Sequence, residues 1–206
     1  MDNINQSKKI ILEKAFESFT REGPRNFTVE CLATNLGMSK KTIYKYFPSK
    51  EILIDKFFEF FTDSFRRKFE EVARSNENPI EKFNIIVDYL SKKILYIPSS
   101  NLVEVKMRHP NIWKKIEKFR LEMTQYFGKI FKEAQQQGLA KPDIDMEKTA
   151  ILFMNIINST FQPEFFINNN LAPADALKLF MKIISEGIFV EQIDKKRNHN
   201  KLIWEN

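Results

Sequence analysis

The sequence predicts an all-α protein of about nine helices, and three observations carry that expectation. Apolar residues recur at helical spacing along nearly the whole chain, and no convincing strand alternation interrupts them. Glycine is scarce (5) and proline modest (8) in 206 residues, so turns are few and helices long. Ser, Thr and Asp stand where the periodic stretches begin, as N-caps do. Hydrophobic residues make up 43% and charged residues 29%, a globular balance that excludes a disordered chain. Twenty phenylalanines predict an interior rich in aromatic rings. The single cysteine, Cys31, cannot form an internal disulfide, which fits a reducing compartment. Ile10–Leu12 is followed at once by Glu13 and Lys14, so no signal-peptide core forms. No apolar run approaches the roughly 18 residues that span a bilayer. A cytoplasmic protein without a membrane partner is expected.

The elements follow in order. Helix one covers about Asn5 to Arg21, with Ile11, Leu12, Ala15, Phe16 and Phe19 on one face. Glu22-Gly23-Pro24 ends it, because glycine permits the reversal and proline cannot continue. Thr28 caps helix two, which ends near Asn35, and Gly37 supplies the turn. Ser39 caps helix three, which reaches about Tyr46. After Pro48, Ser49 caps a long helix four that extends to about Arg74. Leu53, Phe57, Phe61, Phe65 and Phe69 recur along it at i+4, and Ile54, Phe58 and Phe60 widen the stripe. A band that broad predicts contact with two surfaces. Pro79 opens helix five, which ends before Pro98. A short helix follows from about Asn101 to Arg108. Helix seven is expected unbroken from about Asn111 to Gln137, closed by Gly138. Asp145 opens helix eight, to about Phe161, and Pro173 opens helix nine, to about Ile193. Residues 168–170, three asparagines, read as loop. The tail 194–206 is polar and basic and expected to be loosely held. The domain boundary is expected near residue 50, with residues 1–50 as one unit and 51–206 as the other, and no flexible linker between them.

The net charge is +6, but its location says more. Residues 1–50 hold nine Lys/Arg against five Asp/Glu, and four of those cations lie between Lys40 and Lys50, where no acid does. In the same stretch Ala33, Gly37 and Ile43 take the three positions a helix-turn-helix requires. These are a small residue at the crossing, a residue tolerant of positive φ at the turn, and a branched apolar residue facing inward. Leu32, Leu36 and Met38 complete that small core. With Ile43 inside, Lys40, Lys41, Thr42 and Lys45 fall on the open face of helix three, where Thr and Lys can meet base edges in a major groove. Thr28 and Lys50 stand at helix N-termini, which attract phosphate, and Tyr44 and Tyr46 carry hydroxyls within reach of it. Ser39, at the N-cap, completes the DNA-binding candidates. The bland alternative is a solvated basic face on a structural hairpin.

The run T-V-x-x-L-A-x-x-L-G-M-S-K-K-T-I-Y-K-Y-F-P-S-K-E resembles the DNA-binding domain of the TetR family of bacterial regulators, over about residues 10–54. The resemblance implies an N-terminal three-helix helix-turn-helix domain and a C-terminal helical ligand-binding and dimerisation domain. It implies a homodimer whose last two helices pack into an intersubunit four-helix bundle, and a small molecule that releases a palindromic operator on double-stranded DNA. Carried over by position, Thr28, Lys40, Thr42, Tyr44, Tyr46 and Lys50 would touch DNA. Lys41 departs from the family, which commonly has glycine there, and adds a cation at the groove.

In helix eight, apolar residues surround Asn155, Asn158, Ser159 and Thr160. Buried amides need partners, and a ligand, a second subunit or backbone carbonyls would each serve. Helix nine carries Leu177, Phe180, Met181, Ile184 and Ile188 on one stripe. Together with Ile151 and Asn155 these are the expected dimer interface, although a stripe can equally fill the monomer core. Pairing is favoured because a single helix-turn-helix gives little affinity and a two-fold pair reads a palindrome. Candidate ligand-binding residues are Phe61, Phe65, Met107, Met123, Tyr126, Phe127, Met154, Asn158 and Phe161. They suit an apolar or amphipathic effector, and the sparse negative charge argues against a dedicated cation site. His109 and His199 are the only histidines, so neither a metal nor another cofactor is expected. Thiol switching at Cys31 is open, and Trp113 and Trp204 read as structural. No Gly-rich phosphate loop, G-x-S-x-G or acid/base pair is present, which argues against an enzyme. The expected function is a ligand-responsive repressor. The alternative is a DNA-binding structural or protein-partner-responsive regulator without a small-molecule effector, which a filled C-terminal core would favour.

Overall fold

The computed structural model describes residues 2–94 and 97–190, and these form eleven α-helices in sequence. They are α1 (Asp2–Glu22), α2 (Val29–Leu36), α3 (Lys40–Tyr46), α4 (Lys50–Arg74), α5 (Pro79–Ile94), α6 (Ser99–Arg108), α7 (Pro110–Glu122), α8 (Thr124–Gln136), α9 (Met146–Thr160), α10 (Pro163–Asn168) and α11 (Pro173–Ile188). The all-α expectation holds, and among the described residues the only β pairing is an isolated bridge between Ala140 and Phe189. The expected basic tail, with His199 and Trp204, lies outside the described residues.

Two helix expectations need correction. The long seventh helix is two helices, broken at Met123. The Met123 N–H reaches both Phe119 O and Arg120 O at 3.2 Å, a tightened final turn made without proline or glycine. Apolar periodicity runs straight through such a break, so the sequence carried no mark of it. The count of about nine helices also omitted the short α10, which Pro163 opens at its first turn.

The interior has two hydrophobic cores that meet on α4. The first joins Ile11, Ala15 and Phe19 of α1, Leu32 and Ala33 of α2, Ile43 of α3 and Leu53, Ile54, Phe57 and Phe58 of α4. The second joins Phe65, Phe69 and Val72 of the same helix to α5, α7, α8, α9 and α11. The broad apolar band on α4 therefore faces two surfaces, as its width predicts. The first core also takes Val105, Ile112 and Trp113 from α6 and α7, so it is not closed by residues 1–50 alone. Lys82 of α5, 5% exposed, bonds both carboxylate oxygens of Glu133 of α8 at 3.1 Å, which gives that buried ammonium its needed partner.

Local caps agree with the sequence. Thr28, Ser39, Ser49 and Asp145 each accept a hydrogen bond from the backbone N–H three residues on. Gly37 ends α2 at φ 62° while the Met38 N–H donates to Ala33 O at 3.0 Å. Gly23 ends α1 at φ 86°, and a Cβ there would sit 2.9 Å from Asn101 Oδ1 of α6. Asn101 in turn donates through Nδ2 to Thr20 O at 2.6 Å, which satisfies a carbonyl in the last turn of α1.

The two turns predict different penalties. Gly37→Ala meets open space and carries only the left-handed backbone penalty, about 1–2 kcal/mol, or roughly 2–8 °C in Tm for a chain of this size. Gly23→Ala adds a collision with the α6 contact and should lower Tm further. Thermal unfolding of the two variants side by side checks the order, and equal losses would contradict it.

Candidate functional site: a nucleic-acid interface and an interior cavity

Ile43 is fully buried and Phe47 is 5% exposed, which fixes the rotation of α3. Lys41 and Lys45 then stand exposed on its outer side, and among the described residues neither has an ion-pair partner. Thr42 is half-buried, and its Oγ1 lies 2.8 Å from the Ser39 hydroxyl. Tyr44 and Tyr46 are half-buried and packed against the first core, so their rings brace α3 from its sides. Thr28 and Ser39 are exposed, with their side-chain oxygens committed to capping.

Two predicted cations are not free. Lys40 is exposed, but its ammonium is bound by Glu30 of α2, which raises the Lys40 pKa and lowers that of Glu30 through the same hydrogen bond. The local sequence hides this neutralisation because the acid sits ten residues earlier, on the facing helix. Lys50 is half-buried, donating to Phe27 O at 2.6 Å with its ammonium over the Phe27 ring. It ties the start of α4 to the corner between α1 and α2, and would have to leave that carbonyl to reach a phosphate.

Between α4, α7, α8, α9 and α11 lies a cavity of about 180 Å³. Six predicted ligand residues line it: Phe61, Phe65, Met123, Phe127, Met154 and Phe161. Three do not. Met107 is 77% exposed on α6 and belongs to the surface. Tyr126 packs behind the wall, its ring 5.4 Å from that of Phe69. Asn158 is also outside the lining, with its Oδ1 buried and unpartnered. The sequence reading missed Phe16 and Phe58 near one end and Arg120 on α7. Phe16 comes from α1, far away in sequence, and its ring stacks on that of Phe61 with centroids 3.9 Å apart. Arg120 donates through Nη1 to Phe161 O at 3.1 Å and lies over the Trp113 ring. Burial pushes its pKa down to about 10, against a weaker upward pull from Glu117.

The predicted dimer residues divide. Leu177, Met181 and Ile188 are buried in the second core, and Phe180 and Ile184 pack partly into it. Leu177, Met181 and Ile188 belong to the monomer interior, while Phe180 and Ile184 stay half-exposed, with Phe180 stacked on Phe153 at 5.4 Å. Ile151 and Asn155 do face outward. Their exposed companions are Leu152 (62%) and Ile156 on α9 and Leu179 (59%) and Ile183 (58%) on α11. On α11 the exposed apolar residues are Leu179 and Ile183 and not the expected stripe, because both faces of that helix carry apolar residues. Asn155 and Ser159 bond their own helix's carbonyls, at Ile151 O and Asn155 O.

Trp113 is buried in the first core, which agrees with its reading as a packing residue. His109 joins α6 to α7 and lies with its ring 5.8 Å from that of Phe19, and burial holds its pKa below the usual range. Among the described residues no group of His, Cys, Asp and Glu could hold a metal, and no helix is long and apolar enough to cross a membrane.

Residues 11–56 match the family profile of bacterial regulatory proteins of the tetR family. The chain is 23% identical over 185 residues to the HTH-type transcriptional regulator YvaF of Bacillus subtilis (strain 168), itself uncharacterised, covering 89% of this chain and 96% of that one. Its fold is shared with a TetR transcription regulator of Haloarcula marismortui, at TM-score 0.67 and 14% identity over 90% of this chain and 100% of the other. It is also shared with a protein of Saccharomonospora viridis solved in complex with choline, at TM-score 0.63 and 19% identity over 90% and 99% of the two chains. These relatives are described as regulators and not as enzymes. Residues 11–56, which carry the reading helices, are thus a DNA-binding domain of the tetR type, and the chain as a whole shares the fold of TetR regulators.

Proposed function

We propose that the protein is a dimeric, effector-responsive repressor that works in the cytoplasm and reads a palindromic operator with α3 in the major groove. The single observation that carries the effector part is the cavity, because its wall includes Phe16 of α1 as well as Phe58 and Phe61 of α4. A molecule bound there touches the helix that supports the reading head. The choline-bound relative shows that a protein of this fold can hold a small organic molecule, which supports the same use here. An effectorless regulator would be better served by a filled interior.

Lys41, Thr42 and Lys45 are the proposed groove contacts, flanked by Thr28, Ser39, Tyr44 and Tyr46 near the backbone. Lys40 and Lys50 contribute once DNA displaces Glu30 and the Phe27 carbonyl. Dimerisation is assigned to the outward faces of α9 and α11, where Leu152, Ile156, Leu179 and Ile183 expose apolar surface at helical spacing. Release follows as a population shift, in which the bound effector favours an α1–α4 arrangement whose two reading heads no longer match successive major grooves.

Operator duplexes selected from random sequence supply the assay. On the selected duplex, Lys41→Ala and Lys45→Ala should each reduce the slope of log K against log salt by about 0.9 per protomer contact. Glu30→Gln should strengthen binding by releasing Lys40, and Lys40→Ala should change the slope less than Lys41→Ala does. Unchanged slopes for Lys41→Ala and Lys45→Ala would remove α3 from the groove.

Leu179→Asp combined with Ile183→Asp places charge on the proposed dimer face without touching the core. Sedimentation should show monomers of unchanged helicity, with operator affinity reduced at least tenfold. A dimer that survives the double substitution would move the interface elsewhere.

A further inference from the structure

The wall of the cavity is apolar except at two places. Thr62 is one, and its hydroxyl is engaged with Phe58 O and Glu59 O of its own helix at 3.1 and 3.0 Å. Arg120 is the other, the one charged residue in that lining. A guanidinium has five N–H donors, and a desolvated one requires an anion or several acceptors. Arg120 has one hydrogen bond among the described residues, from Nη1 to Phe161 O. The carboxylate whose charge acts on it is Glu117, three residues earlier on α7. That group already accepts from Trp113 Nε1 at 2.8 Å and Gln162 Nε2 at 3.4 Å, and among the described residues it acts on Arg120 only through its charge, without a direct ion pair. Trp113 also supports the guanidinium from behind, its ring centroid 5.3 Å from Cζ. The downward pKa of the half-buried Arg120 has the sign of a desolvation cost that the Glu117 carboxylate only partly offsets.

We propose that the effector is an apolar molecule bearing one carboxylate, which pairs with Arg120 on the α7 wall while its hydrocarbon part fills the space between Phe61, Phe65, Phe127 and Met154. This assignment rests on the cavity being the effector site. A guanidinium fork matches a carboxylate in two parallel hydrogen bonds, and low local dielectric strengthens both. The cavity, near the 150 Å³ that admits benzene, limits the occupant to about 8–12 heavy atoms. A cationic occupant would instead meet Arg120 with no acid in the lining to offset it.

The test uses full-length protein, calorimetric titration and two matched pairs of probes: octanoate with octanamide, and 3-phenylpropionate with 3-phenylpropanamide. Each amide keeps the shape and removes the charge. The acids should bind about 10- to 100-fold more tightly than their amides. Arg120→Met should abolish that preference, and Arg120→Lys should keep part of it, since charge remains but the fork is lost. Equal binding of acid and amide to the wild-type protein would overturn the carboxylate and leave the cavity as an effector site. A preference unchanged in Arg120→Met would overturn the assignment to Arg120. Failure of all four probes to bind at millimolar concentration, by protein that still binds its selected duplex, would bring down both the carboxylate and the effector cavity. The wild-type acid-to-amide ratio needs no variant, so poor folding of Arg120→Met leaves the proposal open to refutation.

Discussion

The aromatic row on α4 is the constraint on which the rest of the molecule depends. Phe57, Phe61, Phe65 and Phe69 are spaced four apart, so they form one ridge along a single helix. The lower end of the ridge closes the core beneath the reading head, and the upper end enters the core of the larger unit. Phe61 sits between them, stacked on Phe16 and in edge contact with Phe65 at 4.6 Å. No flexible segment separates the two cores. A change in the packing of one must therefore be absorbed by rotating or tilting α4, or by moving α1 against it.

Polar contacts reinforce this arrangement from outside. Asn101 and Glu104 of α6 bind Thr20 O and the Arg25 N–H at the end of α1, and Lys106 pairs with Glu164 of α10. Lys115 of α7 bonds Asp55 and Glu59, and Arg66 bonds Glu122. Most of these groups are well exposed, so each pair contributes little alone and is weakened by salt. Their importance is geometric, because they hold α6 and α7 across the junction where the ring stack would have to slip. The cavity lies beside that junction, bounded by rings from both cores. Coupling between sites in such a frame is typically about 1–3 kcal/mol, enough to change DNA affinity about 5- to 150-fold.

Much of this was legible in the sequence. The reading helices were specified by local rules: caps at Thr28 and Ser39, a left-handed glycine at position 37, and Ile43 facing inward. Each rule acts over a few residues, so one chain suffices to read it. What escaped were contacts between residues distant along the chain. Glu30 reaching Lys40, Lys50 turning to Phe27, and Phe16 entering the cavity wall are all tertiary events. Periodicity also could not say which side of α11 faces out, because Leu177 and Met181 lie on one flank and Leu179 and Ile183 on another, all apolar. Arg120 was missed for a related reason. On a helix with Lys114, Lys115 and Lys118 nearby, nothing local marks one basic residue as the one drawn inside.

Cys31 offers the most direct measurement of the central claim, that occupancy of the cavity repositions the reading heads through α1 and α4. It is the single cysteine, exposed on α2, and so accepts a nitroxide label without further engineering. Pulsed electron resonance on the labelled protein should give one well-defined distance between protomers when operator is bound. That distance should shift to a new value when effector saturates the cavity. An unchanged distance, in protein that has nonetheless released its operator, would contradict the account.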